Sequence, residues 1–190
     1  MFRTAKRSPL LRPSRHGLAR VACLLGAALA GHVRADLVTN GGFETGDFTA
    51  WAQFGDTSYT GVGTLSQSGA YAAYFGPITS TGGISQLLST TAGTPLIVDF
   101  WYQALGSRNS FSADLGGVNL VSLTNDTAHT TWTEFTFTVN APTDTPTLSF
   151  TFSNPPSYDY LDGVRVTTTP APGPITLAAL GALVAARRKR

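Results

Sequence analysis

Leu148-Ser149-Phe150-Thr151-Phe152-Ser153 alternates apolar and small polar residues one for one. Successive strand side chains point to opposite faces, so this stretch turns Leu148, Phe150 and Phe152 to one side and hydroxyls to the other. Phe135, Phe137 and Val139 alternate with Thr136 and Thr138 in the same way. Leu96, Val98 and Phe100 alternate with Ile97, Asp99 and Trp101. Turn residues divide these runs: Gly82-Gly83, Gly106-Ser107-Arg108-Asn109, Gly116-Gly117 and the stretch from Ala141 to Pro146. The spacing predicts strands near 37–39, 50–55, 70–76, 84–89, 96–104, 110–115, 118–123, 132–139, 146–153 and 160–167. Short antiparallel strands at this interval make an all-β protein, an antiparallel β-sandwich.

Charge separates this body from its ends. The chain has 13 Lys and Arg against 11 Asp and Glu, for a net charge of +2. Seven of the cations precede position 36 and four follow position 186. Residues 36–169 keep only Arg108 and Arg165 against all 11 acids, a formal charge of −9. Such a body repels nucleic acid, so no nucleic-acid partner is expected. The 134 residues of this segment suffice for one domain with a sizeable core, and the β-sandwich is placed at 36–167.

At the amino end, Arg3, Lys6, Arg7, Arg12, Arg15 and Arg20 precede the short apolar run Val21 to Gly31. Val33-Arg34-Ala35 then offers small residues where a signal peptidase reads. Residues 1–35 are therefore expected to be a secretory signal peptide, served by the secretion machinery and cut after Ala35. Cys23, the sole cysteine, falls inside it, so the mature chain is expected to hold no disulfide.

At the carboxyl end, residues 168–174 form a Pro-rich linker that includes Pro170-Ala171-Pro172. Ile175 to Ala186 is uncharged and rich in Leu and Ala, hence helix-prone and lipid-soluble. As a helix it would span about 18 Å, against roughly 30 Å of bilayer hydrocarbon. Arg187-Arg188-Lys189-Arg190 closes the chain with cations suited to cytoplasmic headgroups. Residues 175–190 are expected to be a membrane helix with a basic tail. A short core helix with a solvated basic end is the other reading.

This order resembles the PEP-CTERM sorting signal of Gram-negative bacteria: a Pro-Glu-Pro motif, an apolar helix and an Arg cluster. The resemblance implies an exosortase, a membrane protease, as partner. It also implies anchorage in the inner membrane before processing, then release to the cell surface or extracellular matrix. Ala171 stands where that family usually has Glu.

The edges of the body carry a second resemblance. Asn40-Gly41-Gly42-Phe43-Glu44, followed by Phe48 and Trp51, opens it, and Tyr160-Leu161-Asp162-Gly163-Val164-Arg165-Val166 closes it. These motifs resemble the galactose-binding-like jelly rolls, the form of many carbohydrate-binding modules. Gly163 replaces the second Asp of the usual closing strand. A jelly roll brings its first and last strands together, so Glu44 and Asp162 could meet, with Asn40 and its neighbouring carbonyls. Hard oxygens of this kind suit Ca²⁺, and related sugar-binding jelly rolls hold a structural calcium there. Alternatively, Glu44 caps a turn and Asp162 accepts backbone hydrogen bonds.

Sugar binding needs exposed aromatic faces beside polar groups. Trp101 and Tyr102 face opposite ways, so at least one points away from the interior. With Arg108 and Tyr158 they form the expected binding face, and Trp51 is expected to be a buried anchor. Catalysis is not expected. The body has one histidine, His129, in a polar loop, no cysteine nucleophile and no Gly-x-Ser-x-Gly elbow. The leading functional reading is an exported, non-enzymatic matrix or surface protein associated with exopolysaccharide. The alternatives are a lectin-like module with a defined glycan ligand, and, last, a polysaccharide-acting enzyme.

Overall fold

The computed structural model describes residues 35–169. The expected signal peptide, apart from its last residue, and the sorting tail from Pro170 onward lie outside the described residues. Among the described residues no helix is long and apolar enough to cross a membrane.

Among the described residues ten strands build two antiparallel sheets: β1 (Ala52–Gly55), β2 (Thr60–Gly63), β3 (Ala72–Phe75), β4 (Gly82–Leu87), β5 (Pro95–Ala104), β6 (Ser110–Leu115), β7 (Val118–Thr124), β8 (Thr133–Asn140), β9 (Thr147–Ser153) and β10 (Asp159–Thr168). One sheet has the order β1-β4-β9-β6-β7 and the other β2-β3-β10-β5-β8. The alternation read in the sequence is the burial pattern observed. Leu96, Val98, Phe100, Tyr102 and Ala104 of β5 are buried, while Ile97, Asp99, Trp101 and Gln103 face outward. Leu148, Phe150 and Phe152 of β9 meet them from the other sheet. Phenylalanines fill the space between: Phe75 stacks on Phe152 at 3.8 Å, and Phe150 meets Phe100 edge-on at 5.1 Å. Trp51 is buried against Phe43, at 5.9 Å, with its Nε1 donating to the Asn40 carbonyl.

Three expectations change. Residues 37–39 form no strand; an isolated bridge from Asp36 to Thr167 is all that ties this segment to β10 in strand fashion. Gly82-Gly83 is no turn but the start of β4, where Gly83 sits against the Phe150 carbonyl too closely for any side chain. And β2, Thr60-Gly61-Val62-Gly63, escapes the alternation rule because glycine carries no hydrophobic signal. Gly116-Gly117 does make the expected tight hairpin between β6 and β7, both residues at positive φ.

β10 is the hinge of the second sheet. Its register against β5 slips between Asp162 and Arg165, and Gly163 takes φ +57° at this bulge. Glycine adopts that conformation without steric cost, which is a physical reason for Gly rather than Asp at 163.

Candidate functional site

The outer face of the second sheet carries a row of aromatic rings. Tyr74 of β3 pairs with Gly61 of β2 on one side and with Tyr160 of β10 on the other; Tyr160 in turn pairs with Gln103 of β5. In antiparallel sheets directly opposed side chains share a face. Trp132, just before β8, closes the row 6.3 Å from Tyr160. Tyr158, just before β10, lies 5.7 Å from Tyr74 and 6.4 Å from Tyr160. Trp101 stands one pair further along, between Asp162 and Glu134.

Glycines on neighbouring strands make room for these rings. A Cβ on Gly61 would collide with the Tyr74 hydroxyl, one on Gly76 would lie 2.8 Å from Tyr158 Cε1, and one on Gly163 would lie 3.1 Å from Trp101 Cδ1. The rings thus lean over bare backbone. All five are half-buried, supported from below and open above. Partial burial, with Tyr158 and Tyr74 adding to it, pushes the Tyr160 phenol above its ordinary value. Gln103 supplies the polar centre of the row. Its Nε2 donates to the Thr130 carbonyl, and its Oε1 has no partner among the described residues.

The row continues into a hollow at one end of the sandwich, lined by Tyr59, Gly76, Ile78, Pro156, Ser157 and Tyr158, with a volume of about 230 Å³. Tyr59 and Ile78 are exposed. Asp56 ties their two loops together, accepting from Ser58 Oγ and N on one side and from Thr79 Oγ1 and N on the other. These bonds hold its carboxyl well below the usual carboxylate range.

The sequence-predicted residues fall into different places. Trp101 is on the outer face and Tyr158 joins face to hollow. Tyr102 is wholly buried, stacked on Phe111 at 4.2 Å, and donates its hydroxyl to Asp159 at 2.9 Å. It is closed to any ligand, because the core face of β5 is the even-numbered one. Arg108 is exposed on the β5–β6 loop, in a second groove shared with Pro156 and Ser157. Tyr74 and Trp132 are among the aromatic residues that the sequence offers for sugar stacking, but they and Tyr160 lie outside the expected binding face. The available signal was their position opposite core residues, as Tyr74 beside Phe75 and Tyr160 beside Leu161. His129 is more than a solvated loop residue: its Nδ1 lies 2.6 Å from Asp126 and its ring 5.1 Å from Phe135.

The expected calcium ligands are engaged otherwise. Glu44 accepts from the amides of Ala70 and Tyr71, and Asp162 from those of Gln67, Ser68 and Gly163. Burial, with Glu44 nearby, pushes the Asp162 carboxyl up despite these bonds. The Asn40 side chain bonds to Asp47, Thr49 and Thr45 within its own loop. The carbonyls of Asn40 and Gly41 accept from Phe43 and Val164. The 66–71 segment thus turns amides, not carbonyls, toward both carboxylates. Among the described residues no three acidic, His or Cys side chains come together. As placed, the donor set does not fit a Ca²⁺ cage.

No protein-family model and no curated protein matches the chain. Solved structures do match its fold. The carbohydrate-binding module TmCBM61, solved with β-1,4-galactotriose, has a TM-score of 0.60 at 20% identity, covering 71% of this chain and 99% of that one. The CBM22-1–GH10 modules of Clostridium thermocellum xylanase 10B, solved with xylohexaose, have a TM-score of 0.56 at 17% identity, covering 71% and 29%. The Stig cyclase Fisc from Fischerella sp. TAU has a TM-score of 0.55 at 17% identity, covering 73% and 100%. The described body has the β-sandwich fold of carbohydrate-binding modules, a fold that also serves a cyclase.

Proposed function

We propose that this protein is a glycan-binding module that binds without cleaving. The observation that carries this reading is the row Tyr74, Tyr160, Gln103 and Trp132 on the outer face of the second sheet, with Trp101 and Tyr158 at its flanks. Pyranose CH groups stack on rings held open to solvent. The likeness to sugar-binding modules favours a defined glycan ligand over a loosely associated matrix protein. The buried acid Asp159 does not reach this face, so it offers no proton to a bound sugar.

Affinity electrophoresis through gels of neutral β-linked polysaccharides tests this. The wild type should be retarded by at least one of them. Tyr160→Ala and Trp132→Ala should each weaken retardation about tenfold or more, the scale of a lost aromatic anchor, with melting nearly unchanged. Retardation by none, or retardation of both variants equal to that of the wild type, would refute the reading.

The protein is proposed to act outside the cytoplasm. The support is the sequence alone: a basic, apolar and small-residue leader, and a Pro-hinged apolar tail with terminal cations. Exosortase processing belongs to this proposal. Mass spectrometry of the protein from its own cells should find Asp36 as the first residue. Retention of Met1 to Ala35 would overturn it.

A further inference from the structure

We propose that the groove around Arg108 is a second binding site, separate from the aromatic row, that takes a single carboxylate-bearing sugar. For the class of molecule it rests on the glycan reading; for its place and chemistry it does not.

The groove is lined by Gly106, Ser107, Arg108, Asn154, the Pro155-Pro156 pair and Ser157, with a volume of about 270 Å³. That is room for one sugar unit rather than a chain. Its cation is uncommitted: the ion pairs among the described residues are His129–Asp126 and Arg165–Asp36 at 3.7 Å, and Arg108 is in neither. Among the described residues, on a body of formal charge −9, this guanidinium is the one arginine outside an ion pair. Such a fork matches a carboxylate with two parallel hydrogen bonds.

The loop that presents Arg108 is fixed. Asn109 next to it is buried; its Nδ2 donates to the carbonyls of Gly106 and Asp126, and its Oδ1 accepts from Asp126 N. Gly106 packs so closely on Asn154 and Ser157 that a Cβ would strike the Asn154 Oδ1. This oxygen is the second pointer to a ligand. Asn154 is fully buried in the groove wall, and its Oδ1 lacks a hydrogen-bond partner among the described residues. An unmatched buried acceptor costs stability, and a hydroxyl donor brought into the groove would relieve that cost. Cation, acceptor and proline wall together fit a uronic acid: carboxylate to Arg108, hydroxyl toward Asn154 and Ser107, ring CH on Pro155-Pro156. The formal charge of −9 on the body disfavours a dense polyanion, so the site selects an isolated acid group on a sparsely charged glycan.

Amide shifts of the full-length protein on titration with methyl galacturonoside, and with the neutral methyl galactoside, test this. The acidic probe should move amides of residues 106–109 and 157 and bind about tenfold more tightly than the neutral one. Arg108→Gln should abolish that preference without changing retardation by neutral polysaccharide. Tyr160→Ala should leave it intact. Equal shifts from both probes, no shifts in these loops, or an unchanged preference in Arg108→Gln would overturn the site. Failure of the aromatic row would show instead as polysaccharide retardation indifferent to Tyr160→Ala.

Discussion

Asp159 sits where an ionised group is least welcome. It is fully buried beneath Tyr102 and Asn154, whose donors reach only Oδ1, while Oδ2 has no partner among the described residues. Burial pushes its carboxyl from an ordinary 3.8 up to about 7, and also pushes the Tyr102 phenol up. The native state therefore holds this proton more tightly than the unfolded chain. This contribution to stability is full below about pH 4, falls as pH rises toward 7, and is flat above, at about 1.4 kcal/mol per unit of pKa difference. Asp159→Asn keeps the acceptor for Tyr102 and removes the titration. Denaturant melts at pH 5 and pH 8 should show a smaller loss with pH for the variant than for the wild type. Equal losses would mean that Asp159 is ionised without penalty in the fold.

Elements explain what the sequence showed and what it hid. The strands with clean alternation, β5, β8 and β9, were legible because each buries one face on a phenylalanine core. Phe150 meets Phe100 of the other sheet, Phe111 of its own sheet and Trp51 just before β1. Its truncation to Ala should cost about 3–5 kcal/mol in chemical denaturation. β2 was illegible because its glycines exist for Tyr74, a residue of another strand. The row of rings was hidden for a related reason: Tyr74, Tyr160 and Trp132 are brought together by pairing among β3, β10, β5 and β8, not by spacing along the chain. That Trp101 and Tyr102 part to opposite faces was legible; that Trp101 is the outer one depends on where the second sheet packs. Gly163 tests the bulge. Gly163→Asp restores the residue common in the resembled family, but at φ +57° and against Trp101. It should lower stability by about 1–2 kcal/mol, read as a fall in melting temperature.

At the scale of the whole molecule, one acidic sandwich carries its chemistry on one sheet face and one loop end. The carboxylates that a calcium ion would use are already bonded to amides, so chelator should leave the melting temperature unchanged and added Ca²⁺ should not raise it. A rise of several degrees on calcium addition would mean that the 66–71 segment turns its carbonyls inward when the ion binds. The proposed glycan binding rests on the row of rings over β2, β3, β10 and β5. Calorimetric titration of the neutral glycan that best retards the protein, into wild type and the Tyr160→Ala/Trp132→Ala double variant, decides the matter. Saturable binding by the wild type, absent in a folded double variant, is the outcome expected; equal binding by both would remove the aromatic face from the function.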